Sequence, residues 1–217
     1  MIYFFADNHF NARPGYHLYT KINHDFDIDF KEDDISWLEN PRCLVKCGLL
    51  IVDFISGLGK IPKPGPAAEA NVREYCEKGK PILLIHAGSA AFPDWDWWRK
   101  MTGLRWVREN DPEGLPPSVH PVKDFSVRKT RSKHEIMTKL REYSLKDDEI
   151  YTKLAKTADV DVLMETEISE GIFPMVYATK NQWGGKVMGF LPGHKPESFE
   201  NKDLVLNVVE LIKYLSL

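Results

Sequence analysis

Pro81-Ile82-Leu83-Leu84-Ile85-His86-Ala87-Gly88-Ser89 decides the fold. Four apolar residues stand in a row, with none of the alternation expected of a strand that has one wet face. A continuous short run of this kind fits a strand covered on both sides, as in a parallel sheet packed between helices. Cys47 to Ile55 is a second such run. Between the two runs lies the turn-rich loop Gly57 to Pro66, then a predicted helix over 67–78 stopped by Gly79. Pro66 suits a first helical position, and glycine suits the residue after a helix. Strand, helix and strand in that order are a βαβ unit.

The same alternation continues on both sides. Upstream, Met1 to Ala6 predicts a first strand, residues 14–24 a helix, and Phe26-Asp27-Ile28-Asp29-Phe30 an alternating strand. Asp33 or Asp34 caps a brief helical turn ending near Pro41. Downstream, Asp94 to Met101 predicts a helix with an aromatic face, and 105–121 an irregular Pro- and Gly-rich excursion. Val122 to Lys129, Asp161 to Ile168, Pro174 to Lys180 and Lys186 to Leu191 read as strands. His134 to Arg141 reads as a short helix or turn, and 181–185 as a hairpin turn. Leu204, Val205, Val208, Leu211, Ile212 and Leu215 fall at helical spacing in an amphipathic closing helix. The expectation is one α/β domain over 1–217, three-layered and doubly wound like a flavodoxin. Its sheet should be mostly parallel, with antiparallel strands near the C-terminus.

Composition narrows the function. The 217 residues carry 29 Lys and Arg against 32 Asp and Glu, a net charge of −3. That argues against a general nucleic-acid binder, which carries a basic surplus. No stretch reaches the ~18–20 apolar residues of a membrane span, and Met1 to Ala6 lacks the basic start of a signal peptide. The three cysteines, Cys43, Cys47 and Cys76, are too few for a disulfide framework. These features predict a cytoplasmic protein with no membrane or nucleic-acid partner.

In open α/β sheets the ligand site lies at the carboxyl ends of the strands. That rule selects Asp7-Asn8-His9 after the first strand, Ile55-Ser56-Gly57 after the third, His86 at the end of the fourth, and His194 after the last. His86 sits where a strand turns sharply through Gly88, a position like a nucleophile elbow. Ser89 follows three residues on and serves equally as a helix cap. Gly193 frees the backbone that carries His194. Asp147-Asp148-Glu149 reads either as a solvated face or as the source of one catalytic carboxylate. Trp95, Trp97 and Trp98 crowd together, and helix-on-sheet packing accounts for at least one of them. No G-x-G-x-x-G or P-loop lysine motif is present, so no nucleotide cofactor is expected.

Taken in order, Asn8-His9, Leu84-Ile85-His86-Ala87-Gly88-Ser89-Ala90-Ala91-Phe92, the Trp-rich helix, Asp148-Glu149-Ile150-Tyr151, Trp183-Gly184-Gly185-Lys186-Val187 and Gly193-His194-x-x-x-Ser198-Phe199-x-Asn201 resemble the ThuA-like (trehalose utilisation) family. The resemblance spans nearly the whole chain. It implies a fold like that of class I glutamine amidotransferases, and use of trehalose or related disaccharides in oxidised, 3-keto form. In the amidotransferases the elbow holds a nucleophilic cysteine; here His86 takes that place, so a cysteine glutaminase is ruled out. The resemblance places His194, Asp148, Glu149 and Tyr151 in the site. His120-Pro121 and Lys133-His134-Glu135 stand near the family's two His-Pro segments.

The leading expectation is therefore a sugar-processing enzyme. His86, His194 and Glu149 would be catalytic; Asn8, His9, Ser89, Asp148, Tyr151, Trp95 and Trp183 would bind substrate. His9, His86 and His194 are the candidate ligands for a divalent metal such as zinc. A homodimer is expected, since closed homo-oligomers are common. The competing expectations are a non-catalytic subunit that binds a sugar or a protein, and a peptidase or esterase built on Ser89 with His194 and an acid.

Overall fold

The computed structural model describes residues 1–61 and 63–217; Pro62, within the loop of 57–66, lies outside the described residues. Eleven strands form: β1 Ile2–Ala6, β2 Ile28–Glu32, β3 Leu49–Asp53, β4 Ile82–Ile85, β5 Leu104–Arg105, β6 Val122–Lys129, β7 Tyr143–Glu149, β8 Ala155–Lys156, β9 Asp161–Ile168, β10 Gly171–Lys180 and β11 Lys186–Phe190. The helices are α1 Pro14–Ile22, α2 Ile35–Glu39, α3 Pro66–Glu77, α4 Asp96–Met101 and α5 Lys202–Leu215. Nine strands make one sheet in the order β2-β1-β3-β4-β11-β10-β9-β6-β7, and β5 pairs with β8 apart from it. The pairings from β2 to β11 are parallel and those from β11 to β7 antiparallel.

Period-two alternation divides the core. Ile2, Phe4 and Ala6 of β1 face one layer, with Leu18 and Ile22 of α1 and Leu204, Val208, Leu211 and Ile212 of α5. Tyr3 and Phe5 face the other, with Leu38 of α2, Val72 and Tyr75 of α3 and Trp98 of α4. Successive side chains of a strand point to opposite faces, so β1 is apolar throughout because both faces are covered. This is the three-layer α/β/α arrangement that the sequence pattern predicts.

Three local readings shift. The second strand lies at 28–32 rather than 26–30 and pairs Phe4 with Phe30. Tyr143–Glu149, to which the sequence pattern assigns no element, is a strand. The antiparallel flank begins in mid-chain with β6, not only near the C-terminus. Local pattern underrates β7 because a bulge breaks its alternation, leaving Lys146 and Asp147 exposed but Asp148 and Glu149 buried.

The strand ends that the sequence selects converge. β1, β3, β4 and β11 run side by side in one direction. Their carboxyl ends therefore deliver Asp7, Asp53, His86 and Leu191 to one rim.

Candidate active site

His86 follows β4 directly and has φ +37°, a left-handed conformation rare for a side chain with a Cβ. It opens a 3-10 turn over His86–Ala90. Gly88 lets that turn lie against β3: a Cβ there would stand 2.3 Å from the Val52 carbonyl oxygen. His9 and Phe10 are left-handed too, with φ 43° and 56°, as is Ser56 at 54°. Strained backbone concentrated at one rim is a mark of functional sites.

The buried His86 ring has a fixed tautomer. Its Nδ1 lies 2.9 Å from the Leu191 carbonyl oxygen, which only accepts, so Nδ1 carries the proton. Nε2 is left with its lone pair. The Tyr151 hydroxyl donates to it at 2.9 Å, and His194 Nδ1 lies 3.2 Å from it. The His9 ring completes the group, with its centroid 5.3 Å from His86 and 4.9 Å from His194.

Glu149 faces this cluster. Its Oε2 is 3.5 Å from His86 Nε2 and 3.6 Å from His194 Nδ1, and its Oε1 is 3.0 Å from His120 Nδ1. Burial, and then the neighbouring Asp148, pushes the Glu149 carboxyl up to about 7. Burial pushes His194 down to about 4, helped by the charge of His9, and holds His86 well below its ordinary value. At neutral pH the rings of His86 and His194 are therefore uncharged. Their approaches to Glu149 are contacts between a carboxyl group and neutral imidazoles, not ion pairs.

A bulge explains how two consecutive carboxylates both turn inward. The β6–β7 register slips between Lys123/Asp148 and Phe125/Leu145, and Asp147 takes φ +49° there. An extra residue in one strand re-aims the side chains that follow it. Asp148 is fully buried and accepts from the Gly193 and His194 backbone N–H groups and the Ser198 hydroxyl, at 2.9, 3.0 and 3.0 Å.

Behind the cluster, Asp7 Oδ1 accepts the His9 backbone N–H at 2.7 Å, and its Oδ2 accepts that of Ile55. Asp53 Oδ1 accepts the Ala87 N–H at 3.2 Å, while its Oδ2 has no partner. Arg108 donates to the carbonyls of Ile55, Ser56 and Ala90 and so ties the loops after β3 and β4 together. Burial pushes its guanidinium down to about 10.

A cleft of about 890 Å³ adjoins the cluster without enclosing the histidines; Ser56, Ser89, Trp98, Arg105, Trp106 and Arg108 are among its walls. The two are joined at Trp106, whose ring packs 4.6 Å from that of Tyr151. Volumes of this order suit small organic ligands.

His9, His86, His194, Glu149 and Tyr151 thus meet, and His120, near a family His-Pro segment, joins them. Ser89 lines the cleft, buried, with its hydroxyl directed at the His86 carbonyl oxygen 3.4 Å away. Asn8 caps the turn that presents His9, its Oδ1 accepting from the Asn11 N–H. Three expected substrate-binding residues are engaged by other contacts. Asp148 spends its oxygens on backbone and Ser198 and offers none to a substrate. Trp95 stacks on Phe92 at 4.0 Å inside the core. Trp183 precedes β11 and packs on Trp97, at the opposite end of that strand from His194. His134 sits beside Tyr214 of α5, 5.2 Å between rings, away from the site. Sequence reasoning missed Asp53, Trp106 and Arg108; only Asp53, ending an apolar strand, carried a usable signal. Cys43, Cys47 and Cys76 are all buried free thiols, pushed up by burial, to about 11 in Cys43 and Cys47.

The family model for ThuA, trehalose utilisation, matches residues 9–215. The chain belongs to the ThuA family. Among solved structures, a ThuA-like protein from Parabacteroides merdae superposes with a TM-score of 0.75 at 15% identity, covering 99% of this chain and 90% of that one. A cytoplasmic protein from Salmonella typhimurium gives 0.64 at 12% identity over 91% and 85%. A β-galactosidase from Bacillus circulans gives 0.55 at 14% identity, over 95% of this chain and 27% of its own length. At such identities the likeness shows a shared fold. No curated protein matches the sequence. No helix among the described residues is long and apolar enough to cross a membrane.

Proposed function

We propose that this ThuA family member is a sugar-processing enzyme acting on trehalose or a related disaccharide in its 3-keto form. The observation that carries the reading is Glu149, a carboxyl pushed up to about 7, within 3.6 Å of the imidazole nitrogens of His86 and His194 beside an open cleft. A general base works best with a pKa near the working pH. A keto group acidifies the hydrogen on the adjacent carbon; Glu149 would take that proton, and the His194 imidazole would donate to the carbonyl oxygen. Trp106 would supply the flat face against the ring, the role that Trp95 and Trp183 cannot take.

The test is turnover of trehalose and 3-keto-trehalose, followed by NMR, in wild type and Glu149→Gln. Turnover that falls about 10²–10⁴-fold in the variant supports the reading, since that is the usual contribution of a positioned acid or base. Absence of turnover, with tryptophan fluorescence still responding to the sugars, would favour the non-catalytic binding subunit instead. A cytoplasmic homodimer belongs to the same proposal, and light scattering of the purified chain checks the pairing.

A further inference from the structure

We infer that His9, His86 and His194 together bind one divalent transition-metal ion, of the class that zinc and cobalt represent. One donor nitrogen from each ring lies within 4.8 Å of the other two.

The spacing agrees with coordination. Zinc holds imidazole nitrogens at about 2.0–2.1 Å in tetrahedral array, which sets neighbouring ligand atoms about 3.3–3.4 Å apart. His86 Nε2 and His194 Nδ1 are 3.2 Å apart. Glu149 Oε2, at 3.5 and 3.6 Å from those nitrogens, stands next to the same point.

The hydrogen bonding agrees as well. Ligating histidines usually spend their other ring nitrogen on a carbonyl or carboxylate, which fixes the tautomer. His86 does this with the Leu191 carbonyl oxygen, aiming the Nε2 lone pair inward. His9 Nδ1 is buried without a hydrogen-bond partner and lies 3.7 Å from Asp7 Oδ1, so a small ring rotation would give His9 the same support. Without an ion, the Tyr151 hydroxyl and His194 Nδ1 both crowd the single lone pair on His86 Nε2. An ion collects the imidazole lone pairs and ends that competition.

His9 is held in place by strained backbone. A left-handed residue costs roughly 1–2 kcal/mol, and His9, Phe10, Asn11 and Arg13 are all left-handed. That stretch carries the ring to the other two histidines. Asp7 reinforces it by accepting the His9 N–H.

The ion would occupy His86 Nε2 and His194 Nδ1, leaving proton abstraction to Glu149 and the His194 Nε2–H free to donate. It does not depend on which sugar, if any, is turned over, so the test uses no substrate. Chelator-stripped full-length protein is titrated with cobalt(II), then with zinc as competitor. Visible absorption and melting temperature are followed in wild type, His86→Gln and His194→Gln. The expected result is saturation at one cobalt per chain with the intense band of a tetrahedral ion, displaced by zinc, and a raised melting temperature. Each variant should bind at least 100-fold more weakly. His194 is partly exposed, so its variant is the one expected to keep the fold. Wild type with no such band, or an undiminished band in a folded His194→Gln protein, overturns the assignment.

Discussion

Asp148 holds His194 from behind: its Oδ1 accepts the His194 backbone N–H at 3.0 Å while its Oδ2 takes the Gly193 N–H and the Ser198 hydroxyl. One buried carboxylate therefore fixes the loop after β11. Oδ1 also accepts the Glu149 N–H at 2.9 Å, so Asp148→Ala would take the acceptor from four donors, each costing about 1–3 kcal/mol when left buried and unpaired. We expect a loss of several kcal/mol in chemical denaturation and a broadened His194 imidazole resonance. An unchanged denaturation midpoint would show that this loop is held by other contacts.

Gly88 determines where His86 points. A Cβ at 2.3 Å from the Val52 oxygen meets backbone in the middle of the sheet, which cannot yield as a side-chain end can. Gly88→Ala should cost at least about 1–3 kcal/mol, the usual effect of overpacking. It should also weaken cobalt binding, because the turn that carries His86 must lift off β3. A variant that melts and binds cobalt like wild type would place the control of His86 elsewhere.

The buried strands β3 and β4 were legible because parallel pairing with helices on both faces demands continuous apolar runs. The strand-end rule then put His9, His86 and His194 on one rim. Glu149 was harder to read. Three successive carboxylates look solvated until a bulge at Asp147 turns the next two residues inward, and no local pattern announces a bulge. Arg108 and Trp106 lie in the irregular excursion of 105–121, where periodicity gives no facing. The tryptophans misled for a different reason: an aromatic cluster looks the same in sequence whether it packs a helix or binds a ring.

Trp95 and Trp106 give that distinction a direct test. Trp95 is almost fully buried in the core, so Trp95→Ala should cost about 3–5 kcal/mol. Trp106 is half-buried on the cleft wall. Trp106→Ala should be milder in thermal melts yet abolish most of the fluorescence response to a bound sugar. If Trp95→Ala is tolerated and the sugar response goes with it, the core assignment of that ring fails.

Asp53 makes stability depend on pH in an unusual direction. It is fully buried; desolvation, and then the charge of Asp7, holds its carboxyl well above the ordinary 3.8, with the Ala87 N–H opposing and Glu32 adding to the rise. A carboxyl whose pKa is raised by folding binds its proton more tightly in the folded state. Its stabilising contribution is complete below pH 3.8 and is lost as pH rises toward the raised value. Asp53→Asn keeps an oxygen for the Ala87 N–H and has no charge to bury. The variant should therefore melt like wild type near the acid end and above it at neutral pH. About 1 kcal/mol at this chain length corresponds to roughly 2–4 °C. The difference between the two melting temperatures, followed from acid to neutral pH, should rise steadily. A difference that is flat with pH, or that favours wild type at neutral pH, would mean that Asp53 is ionised in the folded protein and held by a partner.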